Sequence, residues 1–123
     1  TSTQNIVARR TDIAKLPVVV SYGAIHGGIR YNIIPDEVQL TGTIRTFDDA
    51  MREKVLADLR NVATHVGAAH GATVDAQVPD APGNPVTYND PALTARMLPS
   101  LKAVVGEANV LESSLQMGAE DFS

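Results

Sequence analysis

An α+β fold is predicted by two strand-like segments that precede one long amphipathic helix. Residues 17–25 are rich in β-branched side chains, and within residues 36–47 apolar and polar side chains alternate from Val38 to Arg45. From about residue 48 to Ala69 the apolar residues recur at helical spacing, and residues 72–78 alternate once more. This order predicts an antiparallel sheet with its helices on one face.

Three strands with a helix before the third fit the β-α-β-β-α-β, or ferredoxin-like, plan. The first strand of that plan would precede Thr1, and residues 1–10 are compatible with the last turns of its first helix. We therefore expect a ferredoxin-like sheet whose first strand is missing from this sequence.

The composition is that of an ordinary globular domain. The 123 residues are 44% hydrophobic and 20% charged, which suffices for one modest core. A net charge of −4 without a basic stripe argues against nucleic-acid binding, and no apolar run approaches the ~20 residues of a membrane span. The absence of cysteine excludes disulfides, thiolate metal ligands and a cysteine nucleophile, but it leaves the compartment open.

The second predicted strand indicates which side chains face solvent. Its apolar residues alternate with Gln39, Thr41, Thr43 and Arg45, so Arg45 points away from the core. Gly42 falls on the apolar side, where a missing side chain is typical of a bulge or of a close approach by another backbone or helix.

The long helix has one apolar stripe, which we expect to face the core. The stripe consists of Met51, Val55, Leu59, Val62 and Val66. Thr46 and Asp48 are both candidates for the residue that caps the start of the helix, and Gly67 and Gly71 favour its end.

A proline-rich segment indicates a domain boundary. Residues 79–91 contain four of the seven prolines in the chain. We therefore interpret residues 1–78 as one domain, residues 79–91 as a linker and residues 92–123 as part of a second domain.

The last part of the chain predicts a helix followed by a strand. Asp90 is a capping residue and Pro91 suits the first helical position, which together are a strong helix start. Its apolar stripe consists of Leu93, Met97, Leu101 and Val104 or Val105. Pro99 is expected to kink this helix, and Gly106 ends it. Residues 109–117 are predicted to form a strand.

Three motifs carry a resemblance to a known family. The first is a Gly-Gly-x-x-x-Asn-x-x-Pro-Asp run, formed by Gly27, Gly28, Asn32, Pro35 and Asp36. The second is a Gly-Thr-x-Arg-Thr run, formed by Gly42, Thr43, Arg45 and Thr46. The third is a Gly-Ala-Glu-Asp-Phe run at residues 118–122. In this order and spacing the chain resembles the metal-dependent amidohydrolases that include hippurate hydrolase, auxin-conjugate hydrolases and N-acyl amino acid deacylases.

This resemblance covers nearly the whole chain and implies an organisation for it. Residues 1–78 would form the smaller lid and dimerisation domain. Residues 92–123 would be a fragment of the α/β catalytic domain, which in the family binds two divalent metal ions such as zinc or manganese. The resemblance also implies a homodimer formed through the lid and a substrate that is an N-acyl amino acid or a small peptide.

Arg45 and Asn32 are the candidate substrate-binding residues. The planar guanidinium of Arg45 suits a carboxylate, which N-acyl amino acids carry, although an exposed arginine paired with a nearby acid is the ordinary alternative. Asn32 offers a donor and an acceptor to an amide, although asparagine is also a common turn residue. The resemblance implies that both positions reach the active site of the partner subunit.

Three further residues are candidate neighbours of an active site. His26 lies in the Gly-rich stretch, where a turn role is the simpler interpretation. Glu120 and Asp121 lie in the third motif, which the resemblance places near the metal centre, but they could equally anchor a helix start.

No residue is predicted to be a metal ligand or a catalytic group. The sequence contains no H-x-D run, no adjacent Glu-Glu pair and no H-E-x-x-H run. His65 and His70 are five residues apart on the long helix and so lie off one common face. The histidine that such a lid contributes to catalysis would precede Thr1.

The predicted function is that of a dimerisation and substrate-binding domain of a metal-dependent amidohydrolase, and the fragment by itself is expected to be inactive. One alternative is a ferredoxin-like module that senses an amino acid at a dimer interface. Another is a purely structural domain whose polar sheet face only keeps it soluble.

Overall fold

Two strands and a long helix follow one another in the first part of the chain, as the sequence predicts. This computed structural model describes residues 2–79 and 83–118. The chain divides into two units, Thr1–Gly83 and Asn84–Ser123. The first unit contains a π-helical segment and three regular elements, at Ile6–Arg10, Val18–Gly27 (β1), Val38–Thr46 (β2) and Asp49–Ala69 (α1). The second contains Pro91–Val105 (α2) and a 3-10 turn at Glu107–Asn109.

The two strands form an antiparallel ribbon, which we call the β1–β2 ribbon. Pairing runs from Val18 opposite Thr46 to Gly27 opposite Val38. Together with α1 on one face, the ribbon confirms the predicted α+β class.

The ribbon contains a β-bulge at Gly23. Tyr22 pairs with Gly42 while Ala24 pairs with Thr41, so Gly23 is the extra residue. A Cβ atom on Gly42 would collide with the backbone carbonyl oxygen of Ser21. The prediction that Gly42 marks a bulge or a close backbone approach is therefore confirmed.

Helix α1 begins at a side-chain cap. The carboxylate of Asp48 accepts a hydrogen bond from the backbone N–H of Met51 at 2.6 Å. The hydroxyl of Thr46 instead donates to the carbonyl oxygen of Asp48 at 3.2 Å. Of the two candidate caps, Asp48 is the one used. After the helix ends, Gly71 has a φ of 72°, which glycine adopts without steric cost.

The core of the first unit lies between α1 and one face of the ribbon. Its buried residues are Ile6, Val18, Val20, Val55 and Leu59, with Val7, Ile44, Met51, Val62 and Val78 packed against them. Four of the five residues in the predicted stripe of α1 are in this cluster. The fifth, Val66, is 39% exposed near the end of the helix.

Helix α1 covers only the half of the ribbon that is nearer to Thr46. Further along the same face Ile25, Leu40 and Val38 are each more than half exposed. The connection between the strands, residues 28–37, extends beyond the packed core.

The prediction of a third strand at residues 72–78 is wrong. The described sheet contains two strands, and residues 72–78 pair with neither of them. A strand needs a neighbour to satisfy its backbone groups, and this segment is fixed to α1 instead. Arg60 donates to the carbonyl oxygen of Val78, and the side chain of Val74 lies against Gly67.

The second unit is organised by α2. The carboxylate of Asp90 accepts from the backbone N–H of Leu93 at 2.7 Å, and Pro91 occupies the first turn. The helix continues through Pro99 and ends before Gly106, whose φ is 87°.

The prediction of a strand at residues 109–117 is also wrong. A 3-10 turn comes first, and no described residue after it belongs to a strand. Among the described residues of the second unit this segment has no strand to pair with, and Asn109 donates from its side chain to the carbonyl oxygen of Val105 at 2.6 Å. Among the described residues no helix is both long enough and apolar enough to cross a membrane.

Candidate functional site

The β1–β2 ribbon has two faces with different chemistry. Residues directly opposite each other in a ladder share a face. Val18 with Thr46 and Val20 with Ile44 lie on the face that α1 covers. We call the opposite side the outer face, and it carries four cross-strand pairs: Val19 with Arg45, Ser21 with Thr43, Ala24 with Thr41, and His26 with Gln39.

Arg45 lies where the alternation predicts, on the outer face. Its side chain is exposed, and Val19 lies directly across the ribbon from it. Neither β1 nor β2 contains an acidic residue. The outer face therefore presents a cation that is suited to a carboxylate.

His26 lies on the same face because of the bulge. Simple alternation from Val18 and Val20 would place His26 on the covered face. The extra residue at Gly23 reverses the alternation and brings His26 opposite Gln39. Sequence reasoning missed this placement, although a glycine within a β-branched run is the signal for it.

The structure does not bring His26 and Arg45 together. Gln39, which pairs with His26, precedes Arg45 by six residues along β2. At about 3.3 Å per residue the two ends of the outer face are roughly 20 Å apart.

Asn32 lies in the connection, beyond the last ladder pair of Gly27 and Val38. It is exposed, as are its neighbours Ile29, Tyr31 and Ile34, which are each at least 90% exposed. Gly28 starts this connection with a φ of 76°. Asn32 is therefore presented at the far end of the ribbon from Arg45, in a position suited to contact with another molecule.

The remaining candidates, Glu120 and Asp121, lie outside the described residues. Within residues 2–79 and 83–118, no group of three or more His, Cys, Asp or Glu side chains could hold a metal ion. His65 instead lies with its Nδ1 atom 2.8 Å from the carbonyl oxygen of Asn61. The described residues thus do not fit a two-metal site.

A three-residue ionic cluster ties the π-helical segment to α1. Asp58 lies 2.9 Å from the Nζ atom of Lys54 and 3.1 Å from the guanidinium of Arg10, and Lys54 also donates to the backbone carbonyl of Arg10 at 2.9 Å. Hydrogen bonding from Lys54, then from Arg10, holds the pKa of Asp58 below its ordinary value, against the opposing effect of burial. This cluster therefore joins the end of the π-helical segment to the first half of α1.

A groove of about 410 Å³ lies beside this cluster. It is lined by Ser2, Asn5, Ile6, Arg10, Asn61, Val62, His65 and Val66. None of the candidate substrate-binding residues lines it, so the groove and the outer face are separate features.

The first unit is a small α+β domain. Helix α1 covers one face of its ribbon, and the other face exposes mainly polar side chains to solvent. The amino-acid sequence is similar to parts of several known hydrolases. The chain is 34% identical over 118 residues, 96% of its length, to thermostable carboxypeptidase 2 of Saccharolobus solfataricus, of which this covers 29%. It is 31% identical over 98% of its length to the N-acetyl-L-cysteine deacetylase of Bacillus subtilis, covering 28% of that protein.

A third relative is the N-acyl-L-amino acid amidohydrolase of Geobacillus stearothermophilus, 35% identical over 61% of this chain and 20% of the relative. Over nearly its whole length the chain matches part of proteins of the amidohydrolase and carboxypeptidase family. It spans less than a third of the length of these relatives. No family model matches the chain.

Proposed function

We propose that this chain is the lid and dimerisation domain, with part of the catalytic domain, of a metal-dependent amidohydrolase that cleaves N-acyl amino acid or peptide-like amide bonds. Residues 1–78 are the lid, residues 79–91 the linker and residues 92–123 the catalytic-domain part. The observation that carries the proposal is the position of Arg45, which is exposed on the outer face of the β1–β2 ribbon.

Arg45 binds the carboxylate of the substrate in this proposal. The names of the relatives supply the chemistry, because a carboxypeptidase substrate and an N-acyl amino acid both carry a free carboxylate next to the cleaved amide. Two parallel hydrogen bonds from a guanidinium select this group over a neutral amide.

Asn32 acts in a different site from the Arg45 of its own chain. Val38 precedes Arg45 by seven residues, so the connection that carries Asn32 begins roughly 23 Å away from Arg45 along β2. One small substrate does not span that distance. A homodimer resolves this, since the Asn32 of one copy then reaches the substrate bound at the other.

The two divalent metal ions of the family, zinc or manganese or similar, belong in this proposal to the remainder of the catalytic domain. The described residues offer no cluster for them. The chain alone is then inactive, and its own contribution is association and substrate binding. His26, Glu120 and Asp121 remain candidate neighbours of the active site and are assigned no catalytic role.

The test measures amide hydrolysis by the intact protein with Arg45→Ala and Arg45→Lys. Each variant is assayed with an N-acetyl amino acid and with the same compound bearing a terminal carboxamide. We expect Arg45→Ala to lower kcat/KM by roughly tenfold or more for the carboxylate substrate only, and Arg45→Lys to recover part of the loss.

Arg9→Ala is the matched control, because Arg9 is an exposed arginine on the π-helical segment. Equal losses on both substrates would remove the carboxylate role from Arg45. An intact protein that binds free amino acids and hydrolyses no amide would instead favour the amino-acid-sensing module.

A further inference from the structure

We draw no further inference here: the strongest candidate, the apolar patch of Ile25, Leu40 and Val38 on the half of the β1–β2 ribbon that α1 leaves uncovered, carries none because nothing in the described part of the structure shows what covers it.

Discussion

Val19 and Arg45 lie directly opposite each other in the β1–β2 ribbon, on the face that α1 leaves uncovered. Directly opposed residues have their Cβ atoms only about 4.5–5.5 Å apart. A change at Val19 therefore alters the electrostatic environment of Arg45 while Arg45 itself is kept.

Val19→Glu places a carboxylate beside the guanidinium, where it competes with the carboxylate of the substrate. Because a cross-strand ion pair is weak, we expect a roughly two- to fivefold rise in KM for an N-acetyl amino acid. The KM for the carboxamide analogue should stay constant. Val19→Gln, which has a similar shape without the charge, is the control, and an equal rise in KM there would show that only shape matters.

The close packing at the bulge gives a prediction for stability. Gly42→Ala forces a Cβ atom against the carbonyl oxygen of Ser21, which is backbone and cannot rotate away. We expect the free energy of unfolding to fall by about 1–3 kcal/mol, measured by urea denaturation followed with circular dichroism. Gly23→Ala is the matched control, because a Cβ atom there meets nothing within 4 Å. A similar loss at both glycines would argue against the bulge geometry.

Elements that are specified by the residues of their own segment could be predicted from the sequence. Helix α1 needs only its own apolar spacing and the Asp48 cap, and its stripe is buried where Val55 and Leu59 predict. The predicted strand at residues 72–78 is wrong because an alternating segment forms a strand only when a neighbouring strand pairs with it, and the predicted strand at residues 109–117 likewise has no described neighbour. Whether such a neighbour is present depends on the tertiary structure, and the residues of one segment do not reveal it.

For the candidate site, too, placements that depend on a local pattern could be predicted, and placements that depend on strand pairing could not. The face of Arg45 follows from alternation over a short, regular stretch. The face of His26 depends on the bulge at Gly23, and the distance from Asn32 to Arg45 depends on the register of the whole ribbon. Both properties come from pairing, so the sequence identified these residues without predicting how they are arranged.

The start of α1 provides a test of local stability. Asp48→Ala removes the side-chain acceptor for the backbone N–H of Met51, and we expect a loss of about 1 kcal/mol in the free energy of unfolding. Asp48→Asn keeps an acceptor of the same size, so its loss should be smaller by more than half. Urea denaturation of the three proteins at one pH provides the comparison. If Asp48→Asn were as unstable as Asp48→Ala, charge at the helix start, and not the hydrogen bond, would be the source of the stabilisation.

The ionic cluster at Asp58 makes stability depend on pH. Because its pKa is lowered in the folded protein, the unfolded chain binds more protons in acid, and the stabilisation from Asp58 is complete only above its unfolded pKa of about 3.9. It is lost as the pH falls through the lowered folded value. We expect Asp58→Asn to cost on the order of 1 kcal/mol at pH 7, and this difference from the unmodified protein to shrink below about pH 4.

Asp12→Asn is the control for this prediction. The carboxylate of Asp12 lies 3.4 Å from the Nζ atom of Lys15, and both side chains are more than half exposed, so solvent screens the pair. Its removal should change stability little at either pH. Urea midpoints measured from pH 2.5 to pH 7 separate the two variants, and a difference for Asp58→Asn that stays constant across this range would show that its charge does not stabilise the fold.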